Sequence, residues 1–283
     1  MLFYPPTHCE CGLFEQKTMQ ALLNTAVEAA RKAGDIISRQ SRQLDRLKVQ
    51  MKGQNEFVTQ VDQAAENSII ELIHQRYPDH AILGEESGQI GDANAEHIWI
   101  LDPLDGTTNF IHGLPYYCVS IALKIKGRLS VAVVYNPESQ ELFTATRGSG
   151  ATLDGRRIRV SARNEIAGGL VVTEFPFRSN DVSLDTHLRV YKNVMLEAGC
   201  IRSPGSAALD LCNLAAGRID VGWMFGMKLW DIAAGVLILR EAGGLISAVD
   251  DKEDFMDTGN IVAGTPRMHA ELLQLIKNSR SPR

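Results

Sequence analysis

The amino-acid sequence predicts a mixed α/β protein whose two halves are organised differently. In the first half, two helical patterns precede a series of strand-like segments, which predicts helices packed on an antiparallel sheet. In the second half, helical and strand-like segments alternate, a pattern typical of α/β architecture. The chain has 283 residues, enough for one large domain or for two closely joined halves.

The N-terminal region begins with helical patterns. Apolar residues at helical spacing predict a first helix over residues 19–47 and a second over residues 62–77. The segment before them mixes prolines, cysteines and a glycine without periodicity, so we expect residues 1–18 to form a mobile extension. The folded body then divides into an N-terminal half, residues 19–155, and a C-terminal half, residues 156–283.

Strand patterns dominate the middle of the chain. A short apolar piece over residues 81–83 is followed by the polar stretch 88–96, which predicts a loop. A short turn that contains Gly127 separates two later strands and predicts a hairpin. The strands after the loop are expected over residues 98–101, 119–125, 129–135 and 141–146.

The second half contains shorter alternating elements. Ser206 can cap one of its helices and Gly217 can end the same helix. The strands are expected over residues 170–173, 219–223, 245–249 and 261–263. The helices are expected over residues 184–197, 207–216, 232–241 and 266–277.

Composition and charge exclude several classes of function. The net charge of −5 gives the whole surface no reason to bind nucleic acid, and we expect no direct DNA binding. No apolar run approaches the roughly 20 residues that a membrane-spanning helix needs, so we expect no membrane contact. The five cysteines form no disulfide framework, which favours a reducing, cytoplasmic location.

Two aspartates directly after an apolar run are the most informative feature of the chain. Residues 98–101 are apolar, and Asp102 and Asp105 follow them. Two neighbouring carboxylates that become buried need a counter-charge. Burying an unpaired carboxylate costs several kcal/mol of free energy, or else its pKa rises and it becomes neutral. A divalent cation provides that charge. The pattern therefore predicts a strand that ends in a metal site.

Two more acidic residues stand at predicted element ends. Glu85 follows a short apolar strand and a glycine, and Asp231 precedes a predicted helix. Oxygen donors without a nearby histidine pattern favour Mg²⁺ over zinc or copper. Several such carboxylates suggest more than one ion, as in two-metal sites that act on phosphate esters.

Each acidic residue also has a simpler interpretation. Asp231 could cap its helix, Glu85 could lie in a solvated turn, and Asp105 with Gly106 could form an ordinary turn. The small residues after Asp105 favour a phosphate site, because the backbone N–H groups of Gly106 and Thr107 can bind phosphate oxygens at the start of a helical turn. The chain has no Walker sequence, so ATP-type phosphoryl transfer is not indicated.

Three segments resemble the signature motifs of the inositol monophosphatase family. They are Gly84-Glu85-Glu86-Ser87, the highly specific Asp102-Pro103-Leu104-Asp105-Gly106-Thr107-Thr108-Asn109-Phe110, and Trp230-Asp231-Ile232-Ala233-Ala234-Gly235. The resemblance extends from about Met19 to the C-terminus. Residues 141–148 and 205–210 further resemble the bacterial SuhB-type members of the family.

The resemblance implies a layered αβαβα sandwich of the inositol monophosphatase and fructose-1,6-bisphosphatase type, assembled as a homodimer. It implies a lithium-sensitive phosphomonoesterase with two or three Mg²⁺ ions per site and a small phosphorylated polyol, foremost inositol 1-phosphate, as substrate. The implied metal ligands are Glu85, Asp102, the carbonyl of Leu104, Asp105 and Asp231. The implied catalytic residues, which prepare a water molecule for in-line attack, are Glu85, Thr107 and Asp62. The implied substrate contacts are Asp105, Gly106, Thr107, Gly205, Ser206, Ala207 and Asp231.

One position departs from the family pattern. The family usually has a glutamate seven residues before the aspartate of the Trp-Asp motif, where it bonds inositol hydroxyls, and this chain has Met224 there. Methionine offers no strong hydrogen-bond acceptor. The departure leaves the metal ligands intact, and a related sugar or nucleotide phosphatase of broader specificity stays an alternative.

A second alternative belongs to another class of function. The SuhB-type resemblance implies a role in transcription antitermination and ribosomal RNA processing, through NusA and RNA polymerase. An arginine cluster could contact an acidic partner or RNA, although a solvated strand face is its simpler interpretation. This cluster comprises Arg156, Arg157, Arg159 and Arg163.

Overall fold

The computed structural model describes residues 8–46, 49–53, 56–174, 183–250 and 253–280. Its α-helices are α1 (His8–Gln40), α2 (Gln60–Arg76), α3 (Thr107–Ile111), α4 (Leu184–Glu197), α5 (Ala207–Ala215), α6 (Leu229–Glu241), α7 (Phe255–Thr258) and α8 (Pro266–Arg280). The first strands are β1 (Val49–Gly53), β2 (Glu56–Thr59), β3 (Ala81–Gly84), β4 (Gly88–Ile90), β5 (His97–Asp105), β6 (Cys118–Ile125), β7 (Arg128–Tyr135) and β8 (Leu142–Thr146). The remaining strands are β9 (Gly150–Leu153), β10 (Arg156–Arg157), β11 (Leu170–Glu174), β12 (Cys200–Arg202), β13 (Val221–Met224), β14 (Leu245–Ala248) and β15 (Ile261–Gly264).

The larger sheet has its strands in the order β10-β9-β8-β7-β6-β5-β3-β4. Its pairs are antiparallel except for β3 with β5, which are parallel. Successive side chains of a strand point to opposite faces of a sheet. Trp99 and Leu101 accordingly pack against α1 and α2, whereas Ile100 packs on the other face. This agrees with the helices on an antiparallel sheet that the sequence predicts for the first half.

The smaller sheet has the order β12-β11-β13-β15-β14. The pairs β11–β12 and β11–β13 are parallel, and the other pairs are antiparallel. One hydrophobic core joins α5 and α6 to inner-face residues of both sheets. Another joins α4 and α8 to the outer face of the smaller sheet. The layers thus run helix, sheet, helix, sheet, helix, which confirms the predicted αβαβα sandwich.

The central helices α5 and α6 are apolar around most of their circumference, as helices between two sheets must be. They approach each other closely at Gly235. A Cβ atom at this position would lie 2.6 Å from Cβ of Leu211. The glycine therefore sets the spacing of the helical layer that carries part of the candidate site.

The hairpin predicted around Gly127 is confirmed, and the backbone of its turn shows why a glycine is a reliable signal there. Strands β6 and β7 pair antiparallel, and the turn residues Lys126 and Gly127 both have positive φ, 49° and 74°. This is the left-handed turn backbone that matches the twist of adjoining strands.

Other boundaries differ from the predictions. Helix α1 begins at His8, earlier than predicted, and ends at Gln40, where a 3₁₀ segment, Ser41–Arg46, follows. Residues 1–7 of the expected extension lie outside the described residues. The predicted loop over 88–96 contains β4, a strand of three residues that pairs with β3. The β1–β2 hairpin was not predicted.

Two further expectations concern the whole chain. In the part of the chain that the structure describes, no helix is long and apolar enough to cross a membrane. Cys118, Cys200 and Cys212 are free thiols, in agreement with the absence of a disulfide framework among the described residues.

Candidate functional site

Strand β5 brings the two central aspartates to its C-terminal end, where the larger sheet meets the start of α5. Its pairing with β6 is regular as far as Asp102, becomes irregular, and resumes where Asp105 lies opposite Cys118. The strand therefore continues through the motif, whereas the sequence predicted that it ends before it. In the irregular segment, the backbone N–H of Leu104 donates to Oδ1 of Asp102 at 3.0 Å.

Asp102 is the electrostatic centre of the site. Only 2% of this residue is exposed. Burial raises its pKa well above the usual range, and the carboxylates of Glu85, Asp105 and Asp231 raise it further. Glu85 also forms a hydrogen bond with Asp102. The structure thus brings acidic residues from three distant segments together, and we call Glu85, Asp102, Asp105 and Asp231 the acidic cluster.

Asp105 joins the larger sheet to the first turn of α5. Its Oδ2 accepts hydrogen bonds from Ser206 Oγ at 2.6 Å and from the backbone N–H of Ala208 at 2.8 Å. Burial raises the pKa of Asp105 to about 6, and these two hydrogen bonds oppose the shift. The segment expected to contact substrate, which includes Gly205 and Ala207, therefore lies beside the acidic cluster.

Gly106 allows the backbone segments of the site to approach each other. It has φ = 98°, and a Cβ atom there would lie 2.9 Å from the carbonyl oxygen of Tyr116. The same Cβ would lie 3.2 Å from the carbonyl oxygen of Gly205. Asn109 secures this approach, since its Nδ2 donates to the carbonyls of Tyr116 at 2.8 Å and Pro204 at 2.7 Å.

Asp231 lies in the first turn of α6. Its Oδ2 accepts a hydrogen bond from the backbone N–H of Lys228 at 2.8 Å, so it does cap its helix. The negative charge of Asp231 also raises the pKa of Asp102. The simpler interpretation of Asp231 and its place in the acidic cluster are therefore compatible.

Thr107, which is partly exposed, and the buried Asp62 form a pair next to the acidic cluster. Thr107 Oγ1 lies 3.0 Å from Asp62 Oδ1 and 3.0 Å from the carbonyl oxygen of Leu104, and can donate to either. Asp62 Oδ2 accepts from the backbone N–H of Thr59 at 2.9 Å and from its hydroxyl at 2.6 Å. Burial raises the pKa of Asp62, and these hydrogen bonds oppose the shift.

Sequence reasoning missed Glu66, which shapes the Glu85 turn. Glu66 is buried, and its two carboxylate oxygens accept from the backbone N–H groups of Glu86 at 3.1 Å and Ser87 at 2.7 Å. The available signal was its spacing of four residues from Asp62, which places both carboxylates on one face of α2.

A second missed group lies on the other side of the site. Tyr116 Oη donates to Asp210 Oδ1 at 2.6 Å, and Asn213 Nδ2 donates to Tyr116 Oη at 3.0 Å. Burial and the neighbouring carboxylate of Glu174 hold the pKa of Asp210 well above its usual range. Nothing in the local sequence signals this group, because its members are far apart in the chain: Tyr116 precedes β6, Asp210 and Asn213 lie in α5, and Glu174 ends β11.

The acidic cluster fits a divalent cation by its chemistry. In the described part of the chain, no three His, Cys or acidic side chains already form an arrangement that could hold a metal ion. Instead Glu85 and Asp102 hydrogen-bond, which two carboxyl groups do only when they share a proton. A cation can take the place of that proton. All the donors are hard oxygens, as Mg²⁺ prefers.

The remaining sequence candidates lie at the surface. Arg157 is exposed and donates to the carbonyl of Ser149 at 2.9 Å, and Arg163 lies 3.7 Å from the carboxylate of Asp220. Arg156 and Arg157 form β10, at one edge of the larger sheet. The four arginines of the cluster are therefore exposed, and Arg157 and Arg163 are partly held by neighbouring acceptors.

Comparisons with known proteins agree with one another. The model of the inositol monophosphatase family matches residues 18–281. Nus factor SuhB of Pseudomonas aeruginosa is 48% identical over 267 residues, which cover 93% of this chain and 98% of that protein. The extragenic suppressor protein SuhB of Bartonella henselae has a structure with TM-score 0.87 at 41% identity, covering 91% of this chain and 98% of that one. The structure of inositol monophosphatase from Anabaena has TM-score 0.79 at 36% identity, and the match covers 92% of this chain and 97% of that one.

Proposed function

Because the chain belongs to the inositol monophosphatase family, we propose that it is a Mg²⁺-dependent phosphatase of small polyol phosphates, foremost inositol 1-phosphate. The observation that carries this proposal is the acidic cluster around buried Asp102, with the Asp62–Thr107 pair beside it. Carboxylates gathered from three segments at one buried point are costly without a cation. Their adjacency to a hydroxyl–carboxylate pair supports hydrolysis rather than a purely structural metal.

Three groups of ligands would hold the ions. Glu85, Asp102 and the carbonyl of Leu104 would hold the first, and Asp102, Asp105 and Asp231 the second, with Glu85 contributing to a third, weaker ion. Bound Mg²⁺ supplies Lewis-acid activation of water and neutralises the charge of the phosphate. Glu85 and Asp102 would give up their shared proton to solvent if they held a cation.

The other residues orient the reactants. Thr107, held by Asp62, positions the attacking water in line with the ester oxygen that leaves. The backbone N–H groups of Gly106 and Thr107 contact phosphate oxygens. The alcohol side of the substrate would lie against the segment Gly205-Ser206-Ala207, which the hydrogen bond from Ser206 to Asp105 holds beside the acidic cluster.

The decisive experiment is a phosphate-release screen over inositol, sugar and nucleotide monophosphates, with and without Mg²⁺. We expect hydrolysis only with Mg²⁺, the highest kcat/KM for a polyol phosphate, and inhibition by Li⁺. Absence of any Mg²⁺-dependent phosphate release across the panel contradicts the proposal. A flat profile across the panel supports instead a phosphatase of broad specificity.

The similarity to Nus factor SuhB at 48% identity favours a second role, in transcription antitermination. We propose that this role uses contacts with NusA and RNA polymerase at the surface and does not need hydrolysis. The exposed edge formed by Arg156 and Arg157 is a candidate contact, because it lies on β10 at the border of the larger sheet.

The variant Asp102→Asn separates the two roles. It keeps the shape of the side chain but removes a charge from the acidic cluster, so we expect hydrolysis to fall by at least about 100-fold. Binding to NusA and RNA polymerase, measured by pull-down of the purified proteins, is expected to stay unchanged. Loss of partner binding in a variant that is still folded contradicts the separation of the two surfaces.

A further inference from the structure

Glu174 and Met224 are neighbours in the smaller sheet. They lie opposite each other in the parallel pairing of β11 and β13, where they end their strands. Residues in register on adjacent strands point to the same face of the sheet. Met224 is 1% exposed and packs in the core with α5 and α6, so it offers the cleft no polar atom.

The carboxylate of Glu174 points to the start of α5. Its Oε1 accepts a hydrogen bond from the backbone N–H of Gly205 at 2.7 Å. Glu174 also hydrogen-bonds the carboxyl group of Asp210. This bond raises the pKa of Asp210 and opposes the rise in the pKa of Glu174, so Asp210 carries the proton and Glu174 accepts the bond as a carboxylate. Glu174 is thereby fixed in one orientation.

Glu174 also lies close to the acidic cluster. Gly205, which it binds, directly precedes Ser206, the donor to Asp105. The charge of Glu174 contributes to the raised pKa of Asp105. Unlike Asp210, which is completely buried, Glu174 keeps part of its surface exposed. An oriented, partly exposed carboxylate therefore lies beside Gly205 and Ser206, in the segment that we propose to face the alcohol of a phosphate ester.

We propose that Glu174 is a specificity-determining residue that accepts hydrogen bonds from hydroxyl groups on the alcohol of the substrate. It supplies, from the adjacent strand, the anionic acceptor that Met224 does not. An ionised carboxylate only accepts hydrogen bonds, so it favours polyols over alcohols without further hydroxyls. This inference rests on the proposed phosphatase function and names the group that selects its substrates.

The test compares two phosphate esters in the Mg²⁺-loaded enzyme. Inositol 1-phosphate has several hydroxyls on its alcohol, whereas p-nitrophenyl phosphate has none. Glu174→Gln keeps the side-chain size and an oxygen that can accept from Gly205. We expect the ratio of kcat/KM for the two esters to fall about tenfold, as on loss of a hydrogen bond to a charged group. The fall is expected mainly in KM for the inositol ester.

Glu197→Gln is the matched control, because Glu197 is an exposed glutamate at the end of α4 in the outer layer. For this control variant, the ratio of kcat/KM for inositol 1-phosphate to that for p-nitrophenyl phosphate is expected to equal that of the unchanged enzyme. Thermal unfolding shows whether each variant is folded, and Glu174→Ser replaces Glu174→Gln if the latter is not.

Two results overturn the assignment of Glu174. If the variant lowers kcat/KM for both esters by the same factor, Glu174 only positions Gly205. If the ratio does not change while the unchanged enzyme hydrolyses both esters, another group selects the substrate. If the unchanged enzyme hydrolyses neither ester, the proposed function itself fails, and the role of Glu174 fails with it.

Discussion

Asp105 is a carboxyl group whose pKa the fold raises toward neutral pH. Burial raises its pKa to about 6, although Ser206 and Ala208 both donate to its Oδ2. Without those donors the charged form would be less stable still. The charge of the candidate site therefore changes near neutral pH, and a cation that binds there competes with protons.

Thr107 provides a prediction at the scale of a single residue. Thr107→Ala removes the hydroxyl that Asp62 orients, so we expect kcat to fall by about 100-fold with little change in KM. Steady-state phosphate release measures both constants. Thr108→Ala is the control, because Thr108 is the exposed neighbour in the same helix, α3.

An effect of equal size for Thr108→Ala would assign the loss to the helix rather than to the hydroxyl. A normal kcat for Thr107→Ala would remove Thr107 from the proposed catalytic residues.

Helix α2 acts as a clamp on two segments of the site. Asp62 and Glu66 lie one turn apart and are both buried. Asp62 binds Thr107 beyond β5, and Glu66 binds the N–H groups of the turn that carries Glu85. The position of the helix against the larger sheet thereby sets the positions of two segments that are distant in sequence.

Glu66→Gln tests this clamp. The amide keeps one acceptor but presents an NH₂ group to a backbone N–H, so one of the two hydrogen bonds is lost. We expect the Mg²⁺ concentration for half-maximal activity to rise about tenfold, the size typical when a partner that orients a metal ligand is lost. At saturating Mg²⁺ most of kcat is expected to return.

The control for this prediction is Glu71→Gln, which changes an exposed glutamate of the same helix. If Glu66→Gln lowered kcat at every Mg²⁺ concentration without changing the half-maximal concentration, its role would not be to position a metal ligand.

Elements with a strong local signal could be predicted from the sequence. The β6–β7 hairpin has a turn backbone that Gly127 favours. Helix α5 begins after Ser206, whose side chain caps it, and this signal is contained in the local sequence. Strand β4 and the pair β1–β2 could not be predicted, because their few residues gain stability from pairing rather than from their own pattern. The early start of α1 at His8 could not be predicted either, because apolar residues do not recur at helical spacing before residue 19.

The candidate site could be predicted only where one motif contains several of its residues. Asp102, Asp105 and Thr107 share a motif, Glu85 and Asp231 stand at predicted element ends, and the family resemblance added Asp62 and residues 205–207. Residues that act from other elements carry little or no local signal: Glu66 has only its spacing from Asp62, and Glu174 is an ordinary acid in the sequence. Their contacts arise only when the layers assemble.

At the scale of the whole molecule, the candidate site combines residues of one sheet from each half with residues of the helical layer between them. The carboxyl groups that meet there have pKa values raised by burial, among them Asp62, Asp102, Asp105, Glu174 and Asp210. For a carboxyl group whose folded pKa exceeds the unfolded one, the folded state binds more protons, so rising pH reduces stability. For Asp105, this loss occurs between about pH 4 and about pH 6.

This pH dependence predicts when Mg²⁺ stabilises the protein. At pH 5 protons neutralise most of Asp105, whereas at pH 7.5 its carboxylate is ionised and needs a counter-charge. We expect the rise in Tm on adding Mg²⁺ to metal-free protein to be larger at pH 7.5 than at pH 5, as thermal unfolding measures. NaCl at equal ionic strength controls for screening. Equal shifts at the two pH values would contradict the expected competition.

The hydrogen bond between Glu85 and Asp102 has a consequence for calorimetry. The proton that these two acids share must be taken up by the buffer when a cation displaces it. The heat of titration with Mg²⁺ then includes the ionisation heat of that buffer. Titrations in PIPES and in Tris should therefore differ, and the difference counts the displaced hydrogen ions directly.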